Sequence, residues 1–230
     1  MSELTEEILI QAMPSLASGQ IESFINYYKT LVDWNTRINL TRITEPRDVA
    51  EKHFADSILA AELIPEGARV IDVGAGAGFP GLPLKIVRPD IELVMVDSLG
   101  KRVRFLEELT GILGVSAKAV HARAEDAARD PKLREGFDIA LSRAVAPMNV
   151  LLELTVPFVR VGGASLMYKA ANVNEELALS QRALKVLSCS AELSEYEVPW
   201  GKRTVVAARK LKGTDKKYPR RAGSVEKAPL

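Results

Sequence analysis

Apolar residues are spaced in two different patterns along this chain, and the pattern changes near residue 69. Between residues 20 and 34, apolar side chains recur every three or four positions, which predicts a helix with one buried face. A second helix is predicted from an N-cap at Asp48 to about Ile64, where a proline and a glycine end it. From Arg69 onward, short β-branched runs alternate with helix-length stretches, which predicts a parallel sheet with right-handed crossovers.

A glycine-rich loop, Gly74-Ala75-Gly76-Ala77-Gly78, follows the first predicted strand, 69–73. Glycine allows a tight turn and close approach of a ligand, and the free N–H groups that open the next helix favour an anionic group. The spacing Gly74-x-Gly76-x-Gly78 is typical of enzymes that bind S-adenosylmethionine. The frame that starts at Gly76 also satisfies the dinucleotide fingerprint through Gly78 and Gly81, whereas the frame from Gly74 fails it at Phe79. The loop alone therefore leaves both cofactors open.

The remaining predicted elements complete a doubly wound α/β fold. Further parallel strands cover 91–96, 117–120, 137–141 and 164–168, and the helices cover 82–87, 99–113, 150–159 and 174–187. Within the helix 99–113, Ile112 is among the residues expected to face inward. Gly162-Gly163 is expected to form a turn before the last parallel strand. Strands at 192–198 and 204–210 make an antiparallel hairpin, which is typical of methyltransferases and unlike the regular halves of dehydrogenases.

The ends of the predicted strands carry the candidate chemistry, because the carboxyl ends of parallel strands meet at one edge of a sheet. Asp97 ends the second strand, about 20 residues beyond the loop, where an acid hydrogen-bonds ribose hydroxyls. Asp97 can also cap the following helix, and one carboxylate oxygen can serve each purpose. The turn 121–126 borders the adenine end of the crevice, and the exit 142–147 lies in the same crevice.

The composition mainly excludes other classes of protein. The chain has 230 residues, 47% of them hydrophobic and 27% charged, with a net charge of +1, so neither disorder nor a general affinity for polyanions follows. The single cysteine, Cys189, excludes an intrachain disulfide, and with only 2 histidines we expect no zinc or iron–sulfur site. The N-terminus lacks a signal-peptide pattern, and charge or proline interrupts the long apolar stretches. We therefore expect a cytoplasmic protein with no membrane span and no metal.

Two polar segments are candidate contacts with nucleic acid. Residues 34–42 combine an aromatic ring, amides and arginines, which suits contact with bases, although a capped loop between helices explains the same residues. The tail concentrates positive charge, which suits contact with phosphates, although a frayed and solvated terminus has the same composition. The predicted RNA contacts are Arg37, Lys216, Lys217, Arg220 and Arg221.

Several motifs, in order along the chain, resemble one known family. They are Asn35-x-Arg37-x-Asn39-Leu40-Thr41, Asp72-Val73-Gly74-Ala75-Gly76-Ala77-Gly78-Phe79-Pro80-Gly81, Asp97-Ser98-Leu99-Gly100-Lys101-Arg102, Arg123-Ala124-Glu125, Ser142-Arg143-Ala144 and Tyr218-Pro219-Arg220-Arg221-x-Gly223. The family is that of the bacterial small-subunit ribosomal RNA guanine-N7 methyltransferases, also called glucose-inhibited division protein B. The resemblance implies a class I methyltransferase fold, S-adenosylmethionine as the methyl donor, and methylation of a guanine N7 in the 530 loop of 16S ribosomal RNA.

The resemblance also carries cofactor contacts onto individual residues. Together with Gly76 and Ser98 from the same motifs, the predicted cofactor site comprises Gly74, Gly76, Phe79, Asp97, Ser98, Ala124, Glu125 and Arg143. Family members commonly have Lys-Gly after the fifth strand, whereas this chain has Lys169-Ala170, which leaves the role of that turn open. The implied organisation is a helical extension (1–68) packed on a methyltransferase core (69–212) with a basic tail (213–230), acting as a monomer on 16S ribosomal RNA or the small subunit.

Methylation of guanine N7 requires no general base, because N7 carries an unprotonated lone pair. The reaction then depends on positioning, so we assign no dedicated catalytic residue. Arg143 would block the lone pair if it donated to N7, and we place it on the cofactor carboxylate or on guanine O6. The exit 142–147 lacks the Asn/Asp-Pro-Pro-aromatic motif of exocyclic-amine methyltransferases, and Cys189 is too far along the sequence from the crevice loops to suggest a cytosine-C5 enzyme.

Access to N7 restricts the substrate, because A-form RNA hides this edge of guanine in a deep and narrow groove. We therefore expect a loop or a splayed base as the acceptor. Two other classes stay open at this point: a nicotinamide dehydrogenase that uses the Gly76 frame, and a ribosome-assembly factor that binds RNA without catalysis.

Overall fold

The computed structural model describes residues 3–144, 146–170 and 173–230. Its centre is a 7-stranded sheet in the order β3-β2-β1-β4-β5-β7-β6. The strands are β1 Arg69–Val73, β2 Glu92–Asp97, β3 Ala117–His121, β4 Phe137–Arg143, β5 Val159–Ala170, β6 Cys189–Val198 and β7 Gly201–Lys210. β7 is antiparallel to both of its neighbours, and the other pairs are parallel. The doubly wound sheet with a C-terminal hairpin is thereby confirmed.

Helices cover both faces of this sheet. They are α1 Glu6–Ala12, α2 Ser18–Asn35, α3 Pro46–Val49, α4 Asp56–Ile58, α5 Gly81–Val87, α6 Gly100–Leu113, α7 Ala124–Ala127, α8 Met148–Thr155, α9 Asn174–Leu179, α10 Gln181–Val186 and α11 Ser224–Lys227. A π-helical segment, Ala50–Ala55, joins α3 to α4, and short 3-10 turns cover Ala61–Leu63 and Val156–Phe158. No helix in the described ranges is long and apolar enough to cross a membrane.

The central strands β1, β2 and β4 are buried on both faces, which explains why they are mainly apolar. Side chains alternate across a strand, so neighbouring residues of β1 enter different clusters. Val70 packs with residues of α2, α5 and α6, whereas Ile71 packs on the opposite face with Phe137 and Phe158. The parallel register sets Val73 beside Val96, and this brings the carboxyl ends of β1 and β2 together.

The N-terminal helix α2 packs directly on the elements that carry the glycine-rich loop. The Tyr27 hydroxyl donates to the carbonyl oxygen of Ala77 at 2.6 Å, and the Gln20 amide donates to the carbonyl oxygen of Ile86 at 3.3 Å. Near the other end of α2, the Trp34 indole N–H donates to Glu108 of α6 at 2.9 Å. Residues 18–35 and the sheet domain therefore share one core.

Several limits of helices and strands predicted from the sequence were wrong. The helix predicted to begin at Asp48 begins at Pro46, whose fixed φ suits the first turn, and its N-cap is Glu45. Gly162 and Gly163 lie inside β5 and form an irregularity in its pairing with β4, where a Cβ on Gly163 would lie 2.4 Å from the carbonyl oxygen of Asp138. The helix predicted over 174–187 is interrupted at Ser180, between α9 and α10.

Two errors concern which helical residues are buried. Ile112 of α6 was expected inside but is 49% exposed, because the stripe that packs on α2 runs through Phe105, Leu106 and Leu109. Phe105 makes an edge contact with Trp34 at 5.7 Å between ring centroids. The helix α1 was not predicted, since its short span offers too few apolar repeats to be recognised.

The basic tail packs on the domain through its backbone. The Arg134 guanidinium donates to the carbonyl oxygens of Thr214, Asp215 and Tyr218, with distances of 2.9, 3.2 and 2.9 Å. Further along, Val225 of α11 is fully buried beside Val150 and Leu154 of α8. The tail therefore covers one side of α8.

Arg220 fixes the tail to a buried acid of α8. The Glu153 side chain is fully buried, and its carboxylate accepts from the Arg220 backbone N–H at 2.7 Å and from the guanidinium at 2.6 to 3.1 Å. Arg220 was grouped with the predicted RNA contacts, but its guanidinium is occupied by this internal pair. The neighbouring Arg221 is exposed.

We expect Arg220→Ala to lower the free energy of unfolding by about 3 kcal/mol, because it leaves the buried carboxylate of Glu153 without its charged partner. Urea unfolding followed by circular dichroism measures this loss. Arg221→Ala is the matched control and should stay within about 0.5 kcal/mol of the wild type. Equal losses in the two variants would contradict the assigned role of Arg220.

Candidate cofactor and acceptor site

A cavity of about 410 Å³ lies at the carboxyl ends of β1, β2 and β4. This is the edge of the sheet where ligands bind in open α/β folds. All the cofactor residues predicted from the sequence line it: Gly74, Gly76, Phe79, Asp97, Ser98, Ala124, Glu125 and Arg143. The structure thus brings residues from five separate motifs of the sequence to one place.

The glycine-rich loop bends around this cavity in conformations that favour glycine. Gly76 has φ +58°, and its N–H donates to Asp97 Oδ2 at 2.9 Å. Gly78 has φ +90°, and a Cβ there would lie 2.5 Å from the Tyr27 hydroxyl oxygen. The backbone angle therefore favours glycine at both positions, and the close approach of α2 requires it at Gly78.

Asp97 connects the loop after β1 to the turn after β2. Its side chain is 3% exposed, with Oδ2 accepting from the Gly76 N–H and Oδ1 accepting from the Leu99 N–H at 2.9 Å. Each carboxylate oxygen keeps a second lone pair that can accept a further hydrogen bond. Asp97 does not cap the following helix, whose N-cap is Leu99 and carries no side-chain cap hydrogen bond. The remaining lone pairs of Asp97 fit its predicted role as a ribose anchor.

Arg143 at the end of β4 lies over the ring of Phe79, with 4.9 Å from its guanidinium carbon to the ring centroid. Its guanidinium also donates to the carbonyl oxygens of Lys52 and His53, both at 3.3 Å, and contacts His53 Nδ1 at 3.2 Å. These contacts hold the cation beside Phe79 of the glycine-rich loop. They leave guanidinium hydrogens available for a carboxylate or a carbonyl oxygen.

His53 is a site residue that the sequence did not identify. Its ring stacks on Phe79 at 4.4 Å between centroids, and its Nε2 lies 2.8 Å from Thr41 Oγ1. Burial, with the nearby charge of Arg143, lowers the pKa of His53 to about 3, so the ring is neutral near pH 7. Because Nδ1 faces a cation that can only donate, the proton belongs on Nε2, which donates to Thr41.

Other lining residues were missed for different reasons. Thr41 ends the motif Asn35-x-Arg37-x-Asn39-Leu40-Thr41, so the sequence contained a signal for it. His53 gives no such signal, because no histidine or cysteine lies near it with the spacing of metal ligands. Glu226 comes from the tail and also lines the cavity. Nothing in the local sequence connects Glu226 to the loops, since only the docking of the tail brings it there.

Asp72, below the glycine-rich loop, is a fully buried acid. Its Oδ2 accepts from the Gly81 N–H at 2.8 Å, whereas no partner for Oδ1 lies among the described residues. Burial raises the pKa of Asp72 to about 7, although the Gly81 N–H and the charge of Arg143 oppose the shift. The carboxyl is thus close to half protonated at neutral pH.

The predicted RNA contacts lie apart from one another. Arg37 forms an ion pair with Asp33 and lies over the Trp34 ring at 5.2 Å. It also lines a cavity of about 550 Å³ together with Lys101 and Arg102. Of the predicted contacts on the tail, Lys216, Lys217 and Arg221 are exposed.

One segment expected from the sequence falls partly outside the described ranges, because Val145 in the exit 142–147 is not described. Lys169 and Ala170 were expected in a turn after the fifth strand, but they are the last two residues of β5. Over the ranges that are described, no group of three or more His, Cys, Asp or Glu side chains is placed to hold a metal ion.

Comparison with known proteins identifies relatives along nearly the whole chain. Residues 20–201 match the GidB family model, described as rRNA small subunit methyltransferase G. The ribosomal RNA small subunit methyltransferase G of Clostridium beijerinckii is 43% identical over 239 residues, which cover 100% of this chain and 97% of that protein. The protein of the same name from Halalkalibacterium halodurans is 46% identical over 222 residues, covering 94% of this chain and 93% of the relative.

Solved structures resemble the fold at low sequence identity. A methyltransferase from Pyrococcus furiosus superimposes with a TM-score of 0.55 at 13% identity, covering 83% of this chain and 99% of that one. M. jannaschii TYW2 in complex with AdoMet gives a TM-score of 0.53 at 16% identity, covering 66% of this chain and 73% of that one. At these identities the likeness shows the shared fold alone.

The raised pKa of Asp72 predicts a specific pH dependence of stability. The folded chain keeps a proton that the unfolded chain releases, so the Asp72 carboxyl makes the fold less stable as the pH rises from about 4 to about 7. We expect Asp72→Asn to remove this loss. Its free energy of unfolding should then exceed that of the wild type by on the order of 1 to 3 kcal/mol as the pH rises through that window. Denaturant unfolding at several pH values measures the difference.

His53 changes the stability with pH in the opposite direction to Asp72. Because its pKa is lowered in the folded chain, its contribution makes the fold more stable as the pH rises from about 3 to about 6.5. That contribution is common to the wild type and to Asp72→Asn, so it cancels in their difference. The exposed Asp126→Asn is the control and should show a difference that does not change with pH. A pH-independent difference for Asp72→Asn as well would contradict the raised pKa.

Proposed function

The chain belongs to the rRNA small subunit methyltransferase G family and is an S-adenosylmethionine-dependent rRNA methyltransferase, and on that premise we propose that its acceptor is N7 of a guanine in the 530 loop of 16S ribosomal RNA. The observation that supports this proposal is the meeting of the loop, Asp97 and Arg143 around one cavity. The methyl donor supplies an electrophilic methyl group on a sulfonium. The residues of the cavity position this methyl group relative to the acceptor atom.

The lining residues fit the parts of S-adenosylmethionine. Asp97, at the end of β2, suits the ribose hydroxyls through its remaining lone pairs. Ala124 and Glu125, at the start of α7, suit the adenine, with a backbone amide and a carboxylate. Arg143 suits the amino-acid carboxylate, because a guanidinium donates two parallel hydrogen bonds to that group.

The electrostatics of the site favour a mechanism without a general base. His53 is the histidine of the cavity, and its Nδ1 is already occupied by Arg143. Its pKa of about 3 also makes it a poor proton acceptor near neutral pH. Guanine N7 already has a free lone pair, so its methylation needs no general base on the protein. The chain's contribution is then to align the reacting atoms, which is worth about 7 to 11 kcal/mol at best.

The exposed cations suit a folded RNA substrate. Lys216, Lys217 and Arg221 on the tail, and Arg37 with Lys101 beside the cofactor cavity, lie on different surfaces and can contact separate phosphates. Such contacts position the RNA without reading its sequence. The identity of the guanine must then be read at the site itself.

Radiolabelled methyl transfer to 30S subunits that lack the modification tests the proposal, with aniline cleavage locating the 7-methylguanosine. We expect label in the 530 loop. Label elsewhere in the RNA, or on another atom of guanine, would overturn the acceptor assignment. Binding of the cofactor without transfer to any RNA would instead support a non-catalytic role in ribosome assembly.

Asp97→Asn should weaken the binding of S-adenosylhomocysteine about 10- to 100-fold, because one oxygen acceptor and the negative charge are lost. Isothermal titration measures the affinity, and the exposed Asp126→Asn is the control. The 2′,3′-dideoxy analogue, which lacks the ribose hydroxyls, should show a much smaller difference between variant and wild type. An equal loss with both ligands would show that Asp97 acts only by supporting the loop.

Replacing Lys216, Lys217 and Arg221 together by Gln should make RNA binding less dependent on salt. Each lost phosphate contact reduces the slope of log K against log salt by about 0.7 to 0.9. Filter binding at several salt concentrations measures the slope. Lys118→Gln, an exposed cation on the edge strand β3, should leave it unchanged. An unchanged slope in the triple variant would remove the tail from the RNA interface.

A further inference from the structure

The tail, residues 213–230, forms part of the wall of the cofactor cavity. Glu226 of α11 lines this cavity. The preceding residue, Val225, is fully buried against Val150 and Leu154 of α8, and Ala124 packs against the same cluster. Leu154 and Ala124 themselves line the cavity. The helix α11 therefore lies at the end of the cavity that suits the adenine.

We propose that Glu226 binds the adenine of S-adenosylmethionine, and that cofactor binding is thereby coupled to docking of the tail. In this arrangement the Glu226 carboxylate accepts a hydrogen bond from the exocyclic amino group of the base. The docked tail stabilises the bound cofactor, and the bound cofactor stabilises the docked tail. The coupling adds no chemical step to methyl transfer.

The carboxylate of Glu226 is available for this contact. The residue is exposed, and its side chain has no hydrogen-bond or ion-pair partner among the residues that the structure describes. Adenine donates hydrogen bonds through its amino group, whereas the ring nitrogens N1, N3 and N7 are acceptors. A carboxylate at this end therefore favours adenine over a base with a carbonyl group at position 6, such as hypoxanthine.

A second acid lies at the same end of the cavity. Glu125 of α7 also lines it and is 7% exposed. The amino group of adenine carries two hydrogens, so one hydrogen can bond to each carboxylate. Glu125 belongs to the sheet domain, whereas Glu226 reaches the cavity only when the tail is docked. The second hydrogen bond to the base therefore depends on the tail.

Contacts outside the cavity hold the tail in place. The Arg220 guanidinium bonds to the carboxylate of Glu153 at 2.6 to 3.1 Å, and the Arg134 guanidinium bonds to carbonyl oxygens of the tail at 2.9 to 3.2 Å. Arg134, Glu153 and Arg220 are not among the residues that line the cavity. These bonds place Glu226 at the cavity before the cofactor binds, and such preorganisation lowers the cost of binding.

The coupling acts in both directions. If the docked tail raises the affinity for the cofactor by some factor, the cofactor lowers the population of the undocked tail by the same factor. One hydrogen bond from the adenine amino group to an exposed carboxylate accounts for a factor of about 3 to 10.

The tail also carries the exposed cations Lys216, Lys217 and Arg221. If these residues contact RNA, as the proposed function holds, a cofactor that stabilises the docked tail also holds them in position. Adenine is present in both S-adenosylmethionine and S-adenosylhomocysteine, so either ligand has this effect. The loaded chain then binds RNA more tightly than the empty chain.

Isothermal titration with S-adenosylhomocysteine tests the contact. We expect Glu226→Ala to weaken binding about threefold to tenfold, because it removes the acceptor for the adenine amino group. The matched control is Lys227→Ala, at the next residue of α11, which is exposed and lies outside the cavity lining, and it should bind like the wild type. The analogue in which hydrogen replaces the amino group should bind equally to Glu226→Ala and to the wild type. An equal loss with both ligands, or no loss with either, would overturn the proposal.

Hydrogen exchange of the tail amides, followed by NMR, tests the coupling. The docked tail holds the Arg220 N–H on Glu153 at 2.7 Å and the Ala228 N–H on the carbonyl oxygen of Ser224 at 3.2 Å. Saturating S-adenosylhomocysteine should slow the exchange of these amides more in the wild type than in Glu226→Ala, by the same factor of about 3 to 10. Equal slowing in the two proteins would overturn the coupling.

Filter binding of RNA, with and without S-adenosylhomocysteine, separates this inference from the proposed function. We expect the ligand to raise the affinity of the wild type for RNA more than that of Glu226→Ala. If the titration and the exchange give the expected results but the ligand leaves RNA affinity unchanged, the coupling is supported and the proposed contact of the tail with RNA is contradicted. If the wild type methylates the 530 loop but Glu226→Ala binds S-adenosylhomocysteine with unchanged affinity, this inference alone is overturned.

Discussion

Tyr27 of the N-terminal helix supports the glycine-rich loop from within the core, and the shape of the cofactor cavity depends on that contact. Its hydroxyl donates to Ala77, and its ring stacks on Phe79 at 5.4 Å between centroids. The missing side chain of Gly78 leaves the space that the hydroxyl occupies. Burial raises the pKa of this phenol well above its ordinary value, so it remains a donor throughout the physiological range. The first helices are thus structural partners of the loop.

The charge of the cofactor cavity matches its ligand. The cavity balances three guanidinium groups against three carboxylates, contributed by Arg102, Arg123 and Arg143 and by Asp97, Glu125 and Glu226. S-adenosylmethionine carries a carboxylate together with cationic ammonium and sulfonium groups, so a mixed lining suits it. Arg143 also lines a neighbouring cavity of about 440 Å³, in which Arg203 is paired with Asp56 and Lys169 with Glu176.

The sequence predicted the features that depend on neighbouring residues. It did not predict those that depend on contacts between segments far apart in the chain. The central strands β1 and β2 were recognised because a buried parallel strand is a nearly continuous apolar run, and the loop was recognised because its backbone angles require glycine. The pairing of His53 with Arg143 joins two distant segments, so no local pattern contains it. The internal role of Arg220 was not predicted, because charge alone does not distinguish a solvated cation from one that satisfies a buried acid such as Glu153.

The π-helical segment Ala50–Ala55 has a consequence for the placement of two side chains. It carries His53 toward the cofactor cavity, and Asp56, the residue that follows the segment, bonds to Trp200 and Arg203. A π turn amounts to one residue inserted into an α-helix, and such turns are frequent at functional sites. Deleting one residue here would restore an ordinary helix and rotate one side chain relative to the other by about 100°. The deletion would therefore separate either His53 from Arg143 or Asp56 from Arg203.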